Sequence, residues 1–269
     1  MADPPNAPAV WYPWCVAHSS GFEVADPRGQ VGLIQIDKKQ FLVTKTFRFN
    51  NADVVGMLTD RLVRDGKSAA DAERAVEDAR TFTPSDENPT DMASIPLFMR
   101  WFENTYGAHT LAAIIHDQLI VDEPNAGALG SDTLSDRFFR EMMGSAGVPW
   151  LKRWIMWAAV AIRSRWAAGG TRRLSVGVWI ALSVTGMASF VSAAGSWLFG
   201  WGHPLEIWQL LLVAVLLPFA SAPLWGKQYG ASIVAAVAAL WILPAAAFGL
   251  LGFGVYKILE LLARKLGFK

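Results

Sequence analysis

Four residues of this chain are of the kinds that perform acid–base or metal chemistry and lie near enough in sequence to share a site. They are Asp91 in a polar loop, the adjacent His116 and Asp117 on a mostly apolar helix, and Asp136 on the helix that follows. His109 precedes His116 by seven residues, two helical turns, and so falls on the same helix face. A histidine next to a carboxylate can serve as a general base with its orienting group or as a pair of metal ligands, and carboxylates from separate elements could complete an oxygen-rich divalent site. The same residues also fit a plainer role. A lone histidine on an apolar helix is commonly a hydrogen-bonded core residue, and Asp136 could pair with Arg140 four positions on. Spacing alone leaves both readings open.

The elements that would position these residues can be read from periodicity. Val31–Ile36 and Phe41–Phe49 are rich in β-branched and aromatic residues, with the polar turn Asp37–Gln40 between them, which predicts a β-hairpin. Helical periodicity begins at about Ala52 and breaks at Asp65-Gly66-Lys67. Ser68, with Asp71 three residues on, predicts a capped helix over 69–80. That helix is mostly alanine and charge and reads as a solvated surface insertion. A loop over 83–89 leads into Thr90–Pro96. Helices are expected over 105–121 and 133–143, the second closed by Gly144, and Pro149 starts another that reaches about Ala167. The polar loop and the two helices are joined by short connections and can enclose one polar cleft.

Three ordered motifs then carry a resemblance. Thr90-Asp91-Met92-Ala93-Ser94-Ile95-Pro96, Ala113-Ile114-Ile115-His116-Asp117-Gln118-Leu119 and Ser135-Asp136-Arg137-Phe138-Phe139 resemble a family of small phage and prophage proteins, the domain of unknown function numbered thirteen fifty-three. The resemblance covers roughly Gly32–Arg163, and Asp91, Ser94, Pro96, His116, Asp117 and Asp136 match its characteristic positions. The family's aromatic residue four positions after the histidine is Ile120 here, and its Gly-Phe before Thr-Asp is Asn88-Pro89. What the resemblance implies is a phage- or prophage-type accessory protein, without a transferable activity. The family's His-Asp run is also similar to the helix motif of calcium-dependent secreted phospholipases, whose disulfides, glycine-rich calcium loop and tyrosine are missing here. That likeness frames an alternative expectation, a metal-dependent hydrolase. In it His116, Asp117, Asp91 and Ser94 are the catalytic candidates, and Asp91, His116, Asp117 and Asp136 hold a divalent metal.

From Leu174 onward the composition changes. Residues 174–202, 207–226 and 228–256 contain no Asp, Glu, Lys, Arg or His. A hydrocarbon core ~30 Å thick is crossed by ~20 apolar residues in a helix, so three transmembrane helices are expected. None of the runs shows the polar face of a soluble core helix. Met1–Pro13 is proline-rich, without the basic start and apolar stretch of a signal peptide. The expected organisation is an extended arm over 1–26, an α+β head over 27–149, a basic tryptophan-rich interfacial helix over 150–173 and an all-α membrane domain over 174–269.

Charge is distributed unevenly behind a net of +1: residues 1–150 carry 21 acidic and 13 basic side chains, whereas 151–173 carry Lys152, Arg153, Arg163, Arg165, Arg172, Arg173 and no acid. An acidic head argues against nucleic acid as a partner, since phosphate contacts need a basic surface. Ten of the 13 tryptophans lie at or beyond residue 150, where a ring with a wet N–H suits the headgroup level. Lipid bilayer is therefore the expected partner, together with a second copy of the chain or another membrane protein. By the positive-inside rule the basic collar puts the head on the cytoplasmic side of the inner membrane. The single cysteine, Cys15, cannot form an internal disulfide, which agrees with that side. A transporter is disfavoured, because the apolar runs carry no ionisable residue to mark an ion path. A lysis-type pore formed by oligomerisation is a third expectation.

Overall fold

The computed structural model describes residues 21–24, 31–36, 40–84, 90, 107–121, 129 and 131–265. The arm over 1–20, together with Asp91, Ser94 and Pro96, lies outside the described residues. The chain divides into two compact units, and among the described residues the division falls after Trp157.

In the first unit β1 (Phe22–Val24), β4 (Phe47–Phe49) and β5 (Thr81–Phe82) form a three-stranded antiparallel sheet, and β2 (Leu33–Gln35) pairs with β3 (Phe41–Val43) in a separate ribbon. The expected hairpin is present, but its second strand is divided. Thr44 bonds back to the Gly32 carbonyl through both its N–H and its hydroxyl, which closes the ribbon and frees Phe47–Phe49 to join β1 and β5. β1 lies in what was expected to be the extended arm, where Phe22 pairs with Phe49. Alternation puts Phe47 and Phe49 on one face, and both are buried. Phe47 stacks on Phe82 at 5.1 Å, and Phe49 meets the edge of Phe138 at 5.5 Å, which anchors a helix to the sheet.

The helices of this unit are α1 (Ala52–Arg64), α2 (Ala69–Arg80), α3 (Thr110–Val121), α4 (Asp132–Ser145) and the opening turns of α5 (Trp150–Ala168). Asn51 caps α1 by accepting from Val54 N–H, Ser68 caps α2 by accepting from Asp71 N–H, and Ser131 caps α4 by accepting from Leu134 N–H. The helix α2 is not a solvated insertion. Ala72, Ala75, Val76 and Ala79 are all buried, because small side chains at i, i+3, i+4 and i+7 make a flat stripe that packs closely on a neighbour.

The second unit holds the remainder of α5, then α6 (Gly170–Phe199), α7 (Ile207–Leu216), a 3-10 segment (Leu217–Gln228) and α8 (Tyr229–Lys265). The chain passes from α5 into α6 through Gly169 and Gly170, both at positive φ, a conformation that glycine adopts without steric cost. α7 and the 3-10 segment pack back along α6. A Cβ at Gly186 would lie 2.9 Å from the Ala214 carbonyl oxygen, so the two backbones approach there as only glycine permits. Non-helical backbone at Gly226 breaks the course between Leu217 and Tyr229, and α8 then doubles back so that Ser221 and Ser232 hydroxyls meet at 3.2 Å. Two stretches, Gly170–Phe199 and Ile207–Ile242, are long and apolar enough to cross a membrane.

Candidate functional site

The site is built on α3 and α4. The α3 residues Leu111–Ile115 and Leu119 are buried, which fixes the helix in the core and carries His116 inside with only 4% of its surface exposed. On α4, Phe138 and Met142 anchor the inner face, and Asp136 on the same side is fully buried. The two meet: His116 Nε2 lies 3.0 Å from Asp136 Oδ1. In the tautomer that carries the proton on Nε2 the ring donates to the carboxylate, and the contact fixes the ring's orientation. The ring also packs against Phe139, centroid to centroid 5.0 Å. In a buried setting this hydrogen bond ties the two helices together.

Asp117 is directed elsewhere. One helical step turns its side chain about 100° from that of His116, and its Oδ2 accepts from the Thr90 hydroxyl at 3.0 Å. Thr90 is itself clipped to β3 by two backbone bonds, Phe41 N–H to Thr90 oxygen at 2.8 Å and Thr90 N–H to Phe41 oxygen at 2.9 Å. The bond from Thr90 to Asp117 thus ties Thr90, and with it β3, to α3. Asp91 and Ser94, the next members of the proposed set, lie outside the described residues. The structure therefore brings His116 and Asp136 together, holds Asp117 on a separate partner, and among the described residues assembles no group of three or more His, Cys, Asp or Glu side chains that could hold a metal.

The neighbourhood contains groups that sequence reasoning missed or assigned differently. Arg140 does not engage Asp136. Its Nη2 donates to Glu141 at 2.6 Å, and its guanidinium lies over the rings of Trp154 and Trp157 at 4.2 and 4.6 Å. An arginine face-on to two tryptophans is a cation–π arrangement, which joins the end of α4 to the start of α5. The tryptophans of α5 accordingly divide between roles: Trp157 is buried, whereas Trp150 and Trp166 are 64% and 48% exposed. His109 is buried as well, and loss of hydration lowers its pKa from 6.5 to about 4, so it stays neutral at physiological pH. Thr90 as partner of Asp117 had one available signal, its place beside Asp91 in the motif, but nothing in the sequence indicated that its hydroxyl reaches α3.

No curated protein and no protein of solved structure matches this sequence. A family model, described as a protein of unknown function (DUF1353), matches residues 69–160. The match is narrower than the resemblance suggested, starting at the first residue of α2 and ending within α5. It includes α2, which is therefore part of the domain, and it contains His116, Asp117, Asp136 and the Arg140–tryptophan cluster. Residues 69–160 of this chain are thus similar to the DUF1353 family.

Proposed function

We propose that this chain is a membrane-anchored accessory protein of phage or prophage type, with its DUF1353 domain held at the cytoplasmic face of the inner membrane by a helical unit that spans the bilayer three times. The observation that carries the reading is exposure. Only 22% of the most apolar stretch of each long helix is buried, whereas the core helix of a soluble protein would be mostly buried. Trp197, Leu198, Phe199, Leu211, Leu212, Val215 and Leu216 are exposed and need a hydrocarbon surrounding. At 1.5 Å per residue a 30-residue helix such as α6 is about 45 Å long, enough to cross. The second apolar stretch reverses at Gly226, which supports counting it as two passes, one through α7 and the 3-10 segment and the next along α8. Polar groups within these passes find partners inside the protein: Ser183, Ser221 and Ser232 are buried, and the hydroxyls of Thr185 and Ser189 donate to the Ala181 and Thr185 carbonyls of their own helix, as the absence of water in a bilayer core demands.

Extraction tests this reading. The full chain expressed in bacteria should stay with membranes after a carbonate wash and leave them only with detergent. Recovery in the washed supernatant would reject it.

A second reading, a metal-dependent hydrolase acting beside the bilayer, is favoured by the Asp136–His116 pair, since a carboxylate on Nε2 is the way an orienting group sets a histidine base. It requires Nδ1 of a buried ring to gain access to substrate. Purified protein that binds no divalent cation and cleaves no phosphodiester or lipid substrate would exclude it.

A further inference from the structure

The turn between α6 and α7 carries large aromatic side chains on a backbone whose own polar groups are largely satisfied. Gly200, in the left-handed region at φ 68°, ends α6, and Gly200 N–H and Trp201 N–H donate to the Ser196 and Gly195 oxygens at 3.2 and 3.4 Å, which takes up carbonyls of the last turn. The chain can fold back there because Gly195 leaves room, since a Cβ at that position would run into the Trp201 ring. Further on, His203 Nδ1 accepts from Leu205 N–H at 3.1 Å, and Glu206 N–H donates to Gln209 Oε1 at 2.9 Å in the capping box that opens α7.

What the turn presents outward is aromatic. Trp197, Phe199, Trp201 and Trp208 are between 56% and 75% exposed, and Phe199 stacks with Trp201 at 5.8 Å. A concentration of exposed rings marks a surface that a partner covers.

Three observations identify the cover. The turn joins the two stretches that are long and apolar enough to cross a membrane, Gly170–Phe199 and Ile207–Ile242, and the rings stand at their adjoining ends. From Leu174 to Phe199 α6 rises about 38 Å at 1.5 Å per residue, more than the ~30 Å of a hydrocarbon core, so with Leu174 at one edge of the hydrocarbon the rings reach the other. Between Arg173 and Lys227 the only ionisable side chains are His203 and Glu206, and Glu206 is engaged in its cap, so the turn offers little charge to an ionic partner. Three of the four rings are tryptophans, which combine an apolar face with an N–H donor and so suit a layer that is apolar on one side and wet on the other.

Resting on the membrane-anchored reading, we propose that Trp197, Trp201 and Trp208, with Phe199 stacked on Trp201, form an aromatic anchor that docks in the glycerol–carbonyl layer of the phospholipid leaflet in which the α6–α7 turn lies. The anchor recognises the interface rather than a headgroup charge, and it sets the depth at which α6 and α7 sit.

The experiment reads depth in dioleoylphosphatidylcholine vesicles that hold the full chain on a Cys15→Ala background. A nitrobenzoxadiazole label is attached at Leu198→Cys, beside the rings, or at Val184→Cys, an exposed position near the middle of α6, and is quenched by lipid carrying a nitroxide high or low on its acyl chain. Position 198 should be quenched more by the high nitroxide and position 184 more by the low one. Trp197→Leu with Trp208→Leu should remove the preference of position 198 for the high nitroxide, whereas Trp197→Tyr with Trp208→Tyr should keep it, because tyrosine also favours the interface. Trp201, which packs on Gly195, stays in place so that the turn remains folded. Stronger quenching of position 198 by the low nitroxide overturns the proposal, as does a leucine pair that keeps the preference or a tyrosine pair that loses it. Position 184 reads the anchoring separately: no quenching there contradicts the membrane reading. Quenching at 184 with none at 198, as when water or a second copy of the chain covers the rings, contradicts only the anchor.

Discussion

At the residue scale the head turns on how a buried histidine and a buried aspartate satisfy each other. With exposures of 4% and 0%, His116 and Asp136 have no water to replace a lost partner. Substituting His116→Ala should therefore lower stability by ~1–3 kcal/mol, the cost of stranding a buried polar group. Thermal melting of the full chain in detergent reads the change, and the effects of His116→Ala and Asp136→Asn should be strongly non-additive in a double-mutant cycle. Unchanged melting with loss of a hydrolytic activity would favour the enzyme reading instead. His109 gives a second residue-scale prediction. Its pKa is lowered from 6.5 to about 4 by burial, so between those values the unfolded state takes up a proton that the folded state refuses. Stability is thus fully present above pH 6.5 and falls toward pH 4, by about 3 kcal/mol at most from this group. His109→Gln should flatten that part of the pH dependence of melting, whereas an unchanged slope would contradict the assignment.

At the element scale, much was legible from local chemistry. Ser68 and Asp71 announced the start of α2, Gly66 its separation from α1, and the β-branched run at Val31 the ribbon strand. Less was legible where tertiary partners decide. Phe41–Phe49 alternates like one strand, but Thr44 returns to Gly32 and gives its two halves to different sheets. The alanines of α2 looked too small to bury, yet it is their smallness that lets the helix pack. The pairing of His116 with Asp136 was within reach of spacing and topology, whereas the diversion of Asp117 to Thr90 depends on a hydroxyl from another segment reaching α3. In the second unit, Ala235 and Ala239 are buried as small residues between packed helices should be, while Gly249, Gly252 and Gly254 have open space around them within one chain. A close approach of two backbones occurs at Gly186. Replacing Gly186→Val should push α6 from the chain at Ala214 and Pro218 and lower the melting temperature of the detergent-solubilised protein, by an amount in the ~1–3 kcal/mol range of overpacked sites. Melting like that of the unsubstituted chain would show that the helices separate freely there.

At the scale of the whole molecule, the proposed membrane anchoring has the chain join two solvents. The head buries phenylalanines under a small sheet and encloses its polar pair, and the helical unit exposes many of its leucines and buries Ser175, Ser183, Ser221 and Ser232. The three apolar runs of the sequence correspond to α6, to α7 with the 3-10 segment, and to α8, and the middle one, which carries Pro218 and Pro223, is the one with irregular backbone. An even number of passes would return the C-terminus to the side of the head, and an odd number would not. Three passes with a basic collar inside predict that the head and the Lys227 turn are cytoplasmic and that the loop at His203 faces the opposite compartment.

The most direct measurement is therefore site-specific labelling with a membrane-impermeant maleimide in cells whose outer membrane has been permeabilised, on a Cys15→Ala background carrying either His203→Cys or Lys227→Cys. The account predicts that position 203 is labelled from outside while position 227 reacts only after the inner membrane is opened. Protection of position 203, or equal labelling of both positions before the membrane is opened, would contradict it.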